Sequence, residues 1–100
     1  MQHSTINAVN VAELIVVFAR RGVSHERAVR LVESLPVRIV PCDWEVAREA
    51  ARIDPVTRTA GLSLGDCICL ATGLTQRAKV LTADRAWRRV DCGVDVEVIR

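Results

Sequence analysis

Gly61-Leu62-Ser63-Leu64-Gly65-Asp66-Cys67-Ile68-Cys69-Leu70-Ala71, followed a few residues later by Lys79-Val80-Leu81-Thr82, decides the fold class of this chain. Ser63 stands where a helix N-cap belongs, and Leu64, Cys67, Ile68, Ala71 and Leu74 recur on one face at helical spacing. The run at 79–82 is then too short and too rich in β-branched and aliphatic side chains to be anything but a strand. A helix that feeds directly into a strand is one half of a crossover unit.

The same alternation extends in both directions. Residues 5–9 form a short apolar segment that reads as a strand, and from Asn10 the pattern becomes helical, with Val11, Leu14, Ile15 and Phe18 on one side. Gly22, behind Arg20 and Arg21, is a helix stop. Ser24 caps a second helix with the stripe Ala28, Leu31, Val32 and Leu35, ended by Pro36. Residues 37–40 are a β-branched run long enough for a buried strand. Asp43 caps a third helix carrying Val46, Ala47, Ala50 and Ile53, which Pro55 closes. Past Thr82, residues 84–89 read as a short helix, and Val94, Val96 and Val98 alternate with Asp95 and Glu97 as a last strand, exposed on one side. Strands separated by helices require crossover connections. The fold class is therefore α/β, a mainly parallel sheet with helices on both faces.

Length and composition bound the rest. One hundred residues make a single domain over 1–100, small enough that nearly every apolar face is needed for the core. Half the residues are hydrophobic and only 3% aromatic, which excludes disorder and suits helices packed on a Val-rich sheet. The net charge of +2 balances 14 basic residues, 13 of them Arg, against 12 acids, so charge permits nucleic acid without arguing for it. The cysteines at 42, 67, 69 and 92 include no CxxC pair, and His3 and His25 lie far from any thiol, which disfavours zinc. Cys67 and Cys69 read as small buried hydrophobes with reduced thiols, in keeping with a cytoplasmic protein. The longest apolar candidate, residues 9–19, is interrupted by Asn10 and Glu13, so a membrane role has no support.

Three acids fall where the strands hand over to helices. Glu13 sits in the first turn of the helix after the first strand, Asp66 in the first turn of the helix opened by Ser63, and Asp84 follows the strand ending at Thr82. Ligands of open parallel sheets bind outside the carboxyl ends of the strands. Each acid taken alone also fits a cap: Asn10-x-x-Glu13 and Ser63-x-x-Asp66 have capping-box spacing, and Asp84 suits an N-cap. Taken together they are carboxylates set among apolar residues, and gathering like charges is costly unless a cation offsets them. Hard oxygen ligands of this kind suit Mg²⁺ or Mn²⁺, ions that usually act on phosphates.

Asn10-Val-Ala-Glu13, Gly61-Leu-Ser-Leu-Gly-Asp66 and Val80-Leu-Thr-Ala-Asp84-Arg-Ala-Trp87, in this order, resemble successive motifs of PIN-domain proteins, in particular the VapC-like toxin ribonucleases. The resemblance implies a PIN-like three-layer sandwich and a metal-dependent endoribonuclease acting on RNA. In it Glu13, Asp66 and Asp84 are both the catalytic residues and the ligands of Mg²⁺ or Mn²⁺. Ser63, Thr82 and Arg85 are candidates for positioning substrate or water, with N-capping the competing role of Ser63. Arg85, Arg88 and Arg89 could meet the RNA backbone, Trp87 reads as a core anchor, and Trp44 as cover for a helix face. A VapB-like antitoxin and a second copy of the chain are the implied protein partners. The family pattern also begins with a central strand ending in an Asp, and Met1 stands only a few residues before the next strand. That first strand is missing here, which predicts a weakened metal site and unpaired sheet edges that pair with another polypeptide. A catalytically impaired PIN-like domain acting as a protein-binding module is the alternative, and a structural subunit whose acids are only caps is a third.

Overall fold

The computed structural model describes residues 4–78, 80–82 and 96–98. In chain order these form β1 (Ser4–Asn7), α1 (Ala8–Arg20), α2 (His25–Glu33), β2 (Val37–Val40), α3 (Trp44–Thr59), α4 (Leu64–Gln76), β3 (Val80–Thr82) and β4 (Val96–Val98). The expected short helix at 84–89 lies outside the described residues, as do Asp84, Arg85, Trp87, Arg88, Arg89 and Cys92.

Among the described residues every strand pairing is parallel, in the spatial order β2-β1-β3-β4, as crossover connections require. The register runs from Ser4 opposite Val37 to Asn7 opposite Val40, and from Val80 opposite Val96 to Thr82 opposite Val98. Between β1 and β3 it is carried by Thr5 opposite Val80. The expectation of unpaired central edges is therefore corrected. β1 and β3 close on each other, because buried N–H and C=O groups without partners are costly.

Helix starts follow the local chemistry of the sequence. Ser24 accepts a hydrogen bond from Arg27 N at 3.3 Å, and Asp43 accepts one from Val46 N at 3.0 Å. Gly22 takes a left-handed backbone (φ 87°) just past α1, where a residue with a Cβ would be strained. Two boundaries differ from the sequence reading. Asn7 rather than Asn10 caps α1, its side chain accepting from Val9 N at 2.9 Å, so Glu13 lies in the second turn and no capping box involves it. Pro55 does not close α3, which continues to Thr59.

The reason for the second difference is tertiary. The last turn of α3 buries Thr57 completely against α4, and its hydroxyl donates to the Asp54 carbonyl at 3.1 Å and lies 3.4 Å from Cys67 Sγ. Burial of that turn outweighs the proline's lost hydrogen bond. The core lies along this α3–α4 seam, where Val46, Ala50 and Ile53 meet Leu62, Cys67, Cys69, Leu70 and Ala71. Removing a fully buried side chain such as Leu70 from a seam of this kind costs about 2–5 kcal/mol.

Away from the seam the packing is looser. No residue of α1 is fully buried, and Val16 and Val17 are exposed. Of the α2 stripe, Ala28 and Val32 are buried and Leu31 is not. Trp44 does not cover a helix face: it stands 74% exposed at the start of α3. Among the described residues, no helix is long and apolar enough to cross a membrane.

Candidate acidic site at the start of α4

The site forms where α1 crosses the first turn of α4. Ser63 and Asp66 make a reciprocal capping box: Asp66 N donates to Ser63 Oγ at 3.2 Å, and Ser63 N donates to Asp66 Oδ2 at 2.9 Å. The box engages Asp66 through Oδ2. The capping role foreseen for Ser63 is thus realised, and it fixes the rotamer of the Asp66 carboxylate at the helix N-terminus.

Glu13 reaches the same turn from the other helix. Its carboxylate lies directly over Gly65, so close that a Cβ built there would stand 2.5 Å from Glu13 Oε2 and 2.8 Å from Oε1. Asn10, one turn earlier in α1, ties the arrangement together. Its Nδ2 donates to Glu13 Oε1 at 3.0 Å and to the Gly65 carbonyl at 2.8 Å. These two bonds fix the orientation of the amide, leaving Asn10 Oδ1 buried with no hydrogen-bond partner among the described residues. Sequence reading gave Asn10 the role of a helix cap and Gly65 none. Only the residue type at 65, a glycine inside an apolar helix pattern, hinted at a close approach.

The electrostatics are those of a partly exposed acidic patch over a dry interior. Cys69, one turn after Gly65, is buried beneath both acids. Desolvation first, and then the charges of Asp66 and Glu13, push its thiol up to about 12. Burial also pushes the Cys67 thiol up, and Cys67 donates to the Ala50 carbonyl at 2.9 Å. Both thiols are therefore protonated packing groups, as the sequence indicated.

Of the residues foreseen for the site, Glu13 and Asp66 are brought to neighbouring positions and Ser63 joins them. Asp84 and Arg85 lie outside the described residues, and Thr82 ends β3, whose backbone alone is described. Among the described residues, no three His, Cys, Asp or Glu side chains gather closely enough to hold a metal ion. The two carboxylates, Glu13 over Gly65 and Asp66 beside it, are nevertheless hard oxygen donors of the kind that suits a divalent cation such as Mg²⁺ or Mn²⁺.

A separate cavity of about 350 Å³, lined by Glu45, Glu49, Leu74, Thr75 and Arg77, lies at the other end of α4. The Arg52 guanidinium beside Glu49 holds that carboxyl below its usual range. This cavity begins about 12 Å along the helix from Asp66, at the rise of an α-helix, and takes no part in the acidic site.

A parallel α/β domain with acids brought together where α1 meets the first turn of α4 is a class of fold that binds ligands at the carboxyl edge of its sheet. The chain belongs to the PIN domain family, whose model matches residues 3–92. No curated protein sequence matches it significantly. Among solved structures, it is similar to a chain of VapBC2 from Rickettsia felis bound to a DNA fragment from their promoter, at 13% identity and a TM-score of 0.69, covering 94% of this chain and 73% of that one. A chain of DNA-bound VapBC from Salmonella typhimurium matches at 20% identity and a TM-score of 0.69, covering 94% and 74%. A chain of VapBC-5 from Mycobacterium tuberculosis, of the VapBC toxin-antitoxin family, matches at 23% identity and a TM-score of 0.65, covering 94% and 79%. At these identities the likeness is one of fold.

Proposed function

We propose that this chain is a metal-dependent endoribonuclease of the toxin type, hydrolysing RNA phosphodiesters with Mg²⁺ or Mn²⁺ held by Glu13, Asp66 and Asp84. The observation that carries this reading is the convergence of Glu13 on the first turn of α4, beside Asp66, from a helix far away in sequence. Glu13 lies over Gly65, the residue before Asp66, so both carboxylates border one turn, where a bound cation would offset their like charge. What a divalent ion supplies when bound is a water of lowered pKa and positive charge at the scissile phosphate. Asp66 and Glu13 hold their oxygens in place for it through the capping box and the Asn10 bridge. In this reading Ser63, Thr82 and Arg85 position water or substrate. The protein works in the cytoplasm against an RNA substrate, as a homodimer and under the control of a VapB-like antitoxin. The VapBC assemblies among its structural neighbours support the last partner.

A second reading, a PIN-like domain that has lost catalysis and serves as a protein-binding module, is favoured by one observation. α1 buries none of its residues fully and leaves Val16 and Val17 exposed, apolar surface suited to a partner.

Calorimetric titration with Mn²⁺ separates the two readings, using the full chain beside an Asp66→Asn variant checked by circular dichroism to be equally folded. The nuclease reading expects saturable binding that Asp66→Asn abolishes, together with RNA cleavage that follows occupancy of the site. Absence of Mn²⁺ binding by the unmodified chain would overturn it in favour of the binding module.

A further inference from the structure

We propose that Gly65 is a positioning residue for Glu13: the missing side chain at 65 is the seat into which the Glu13 carboxylate fits, with Asn10 as the clasp. The proposal rests on the reading of Glu13 as a metal ligand, and adds to it the device that places this ligand beside Asp66. Glycine in a helix is destabilising relative to alanine, so its presence in the first turn of α4 calls for a reason. Backbone conformation supplies none: among the described residues the positive-φ glycines are Gly22 and Gly61, and Gly65 lies inside helix α4.

Space supplies the reason. A Cβ at 65 would stand 2.5 Å from Glu13 Oε2, 2.8 Å from Oε1 and 2.9 Å from the carboxyl carbon, whereas ordinary contact begins at 3.4 Å. All three atoms belong to the far end of one flexible side chain. An alanine would therefore leave the helix intact and drive the carboxylate back by about an ångström, beyond the roughly 0.5 Å tolerance of a productive site. Asn10 acts on the same group from the other side. It binds Glu13 Oε1 at 3.0 Å and the Gly65 carbonyl at 2.8 Å, so one amide fastens the ligand to the turn on which it rests. Supporting groups of this kind orient a ligand without touching the ion.

The two roles available to Gly65 predict opposite signs. If the glycine were only a helix residue, Gly65→Ala would raise the thermal midpoint and change nothing at Glu13. If it is a seat, Gly65→Ala keeps or raises the midpoint while the Glu13 carboxyl moves and Mn²⁺ affinity falls by about 10–100-fold. We would record the Glu13 carboxyl ¹³C resonance in metal-free protein, assigned with Glu13→Gln, then titrate Mn²⁺ calorimetrically into the unmodified chain, Gly65→Ala and Asn10→Ala. The seat is supported by a displaced Glu13 resonance and weakened Mn²⁺ binding in a Gly65→Ala protein of undiminished thermal stability, with Asn10→Ala changing both in the same direction. It is overturned if both variants keep the Glu13 resonance and the Mn²⁺ affinity of the unmodified chain. Should Gly65→Ala fail to fold, Asn10→Ala, which leaves α4 unaltered, decides alone. Failure of the unmodified chain to bind Mn²⁺ overturns the metal reading instead, and the metal-free Glu13 resonance then still decides whether Gly65 and Asn10 position that carboxylate.

Discussion

Asn7 Nδ2 donates to Thr72 Oγ1 at 3.0 Å, a fully buried hydrogen bond that joins the end of β1 to the middle of α4. The same side chain caps α1 through Oδ1 and lies 3.4 Å from the Pro41 carbonyl, so three segments meet on one amide. Replacing Asn7 with alanine removes the cap and strands the buried Thr72 hydroxyl with its Ile68 bond alone. The expected loss is about 2–4 kcal/mol, from a cap worth about 1 and buried polar groups left without partners. Urea unfolding of Asn7→Ala checks it, and a change below about 0.5 kcal/mol would remove Asn7 from its place as the joint.

Alkaline pH tests the dry layer under the acids. The folded-state pKa of Cys69, pushed up to about 12 by burial and by the Asp66 and Glu13 charges, lies above its ordinary value of 9.0. The unfolded chain therefore gives up this proton first. Stability is fully present below about pH 9 and declines between about 9 and 12, by up to about 1.4 kcal/mol per pH unit for this thiol. Cys67, shifted in the same direction, adds to the slope, and no tyrosine is present to confuse it. Denaturation midpoints measured from pH 8 to 10.5 are expected to fall, and to fall less steeply in Cys69→Ala.

Pro55 interrupts the hydrogen bonding of α3 at an exposed position. Pro55→Ala restores an N–H and relieves the ring against the preceding turn, at the cost of a more flexible unfolded chain. The net expectation is a gain of about 1–2 kcal/mol, read as a raised thermal midpoint with unchanged Mn²⁺ affinity. A loss of stability would mean that the proline ring itself, rather than burial alone, helps to bring Thr57 onto α4.

Arg77 ends α4 in a left-handed conformation, φ 50° and ψ 46°, which a residue with a Cβ adopts at a cost. Arg77→Gly is expected to stabilise the fold by about 0.5–1 kcal/mol, since glycine enters that region freely. Differential scanning calorimetry of the variant provides the check.

Sequence alone determined what local chemistry controls. Ser24, Asp43 and Ser63 were legible as caps because each bonds a backbone N–H three residues away. The alternation of helical and extended periods fixed an α/β domain with parallel strands, since separated strands must be joined by crossovers. Glu13 and Asp66 were legible as candidates from residue type and position after a strand or cap. Tertiary structure decided the rest, because it depends on which helix docks against which. Asn10 looked like a cap by spacing, but docking of α1 on α4 turned its amide to a carbonyl 55 residues away. Pro55 looked like a stop by its ring chemistry, but burial of Thr57 carried the helix past it. Gly65 carried no chemistry in the sequence, and acquired a role only when the Glu13 carboxylate came to rest on its Cα. Contacts between residues distant along the chain leave no periodic trace in it, and such contacts assemble the acidic turn of this protein.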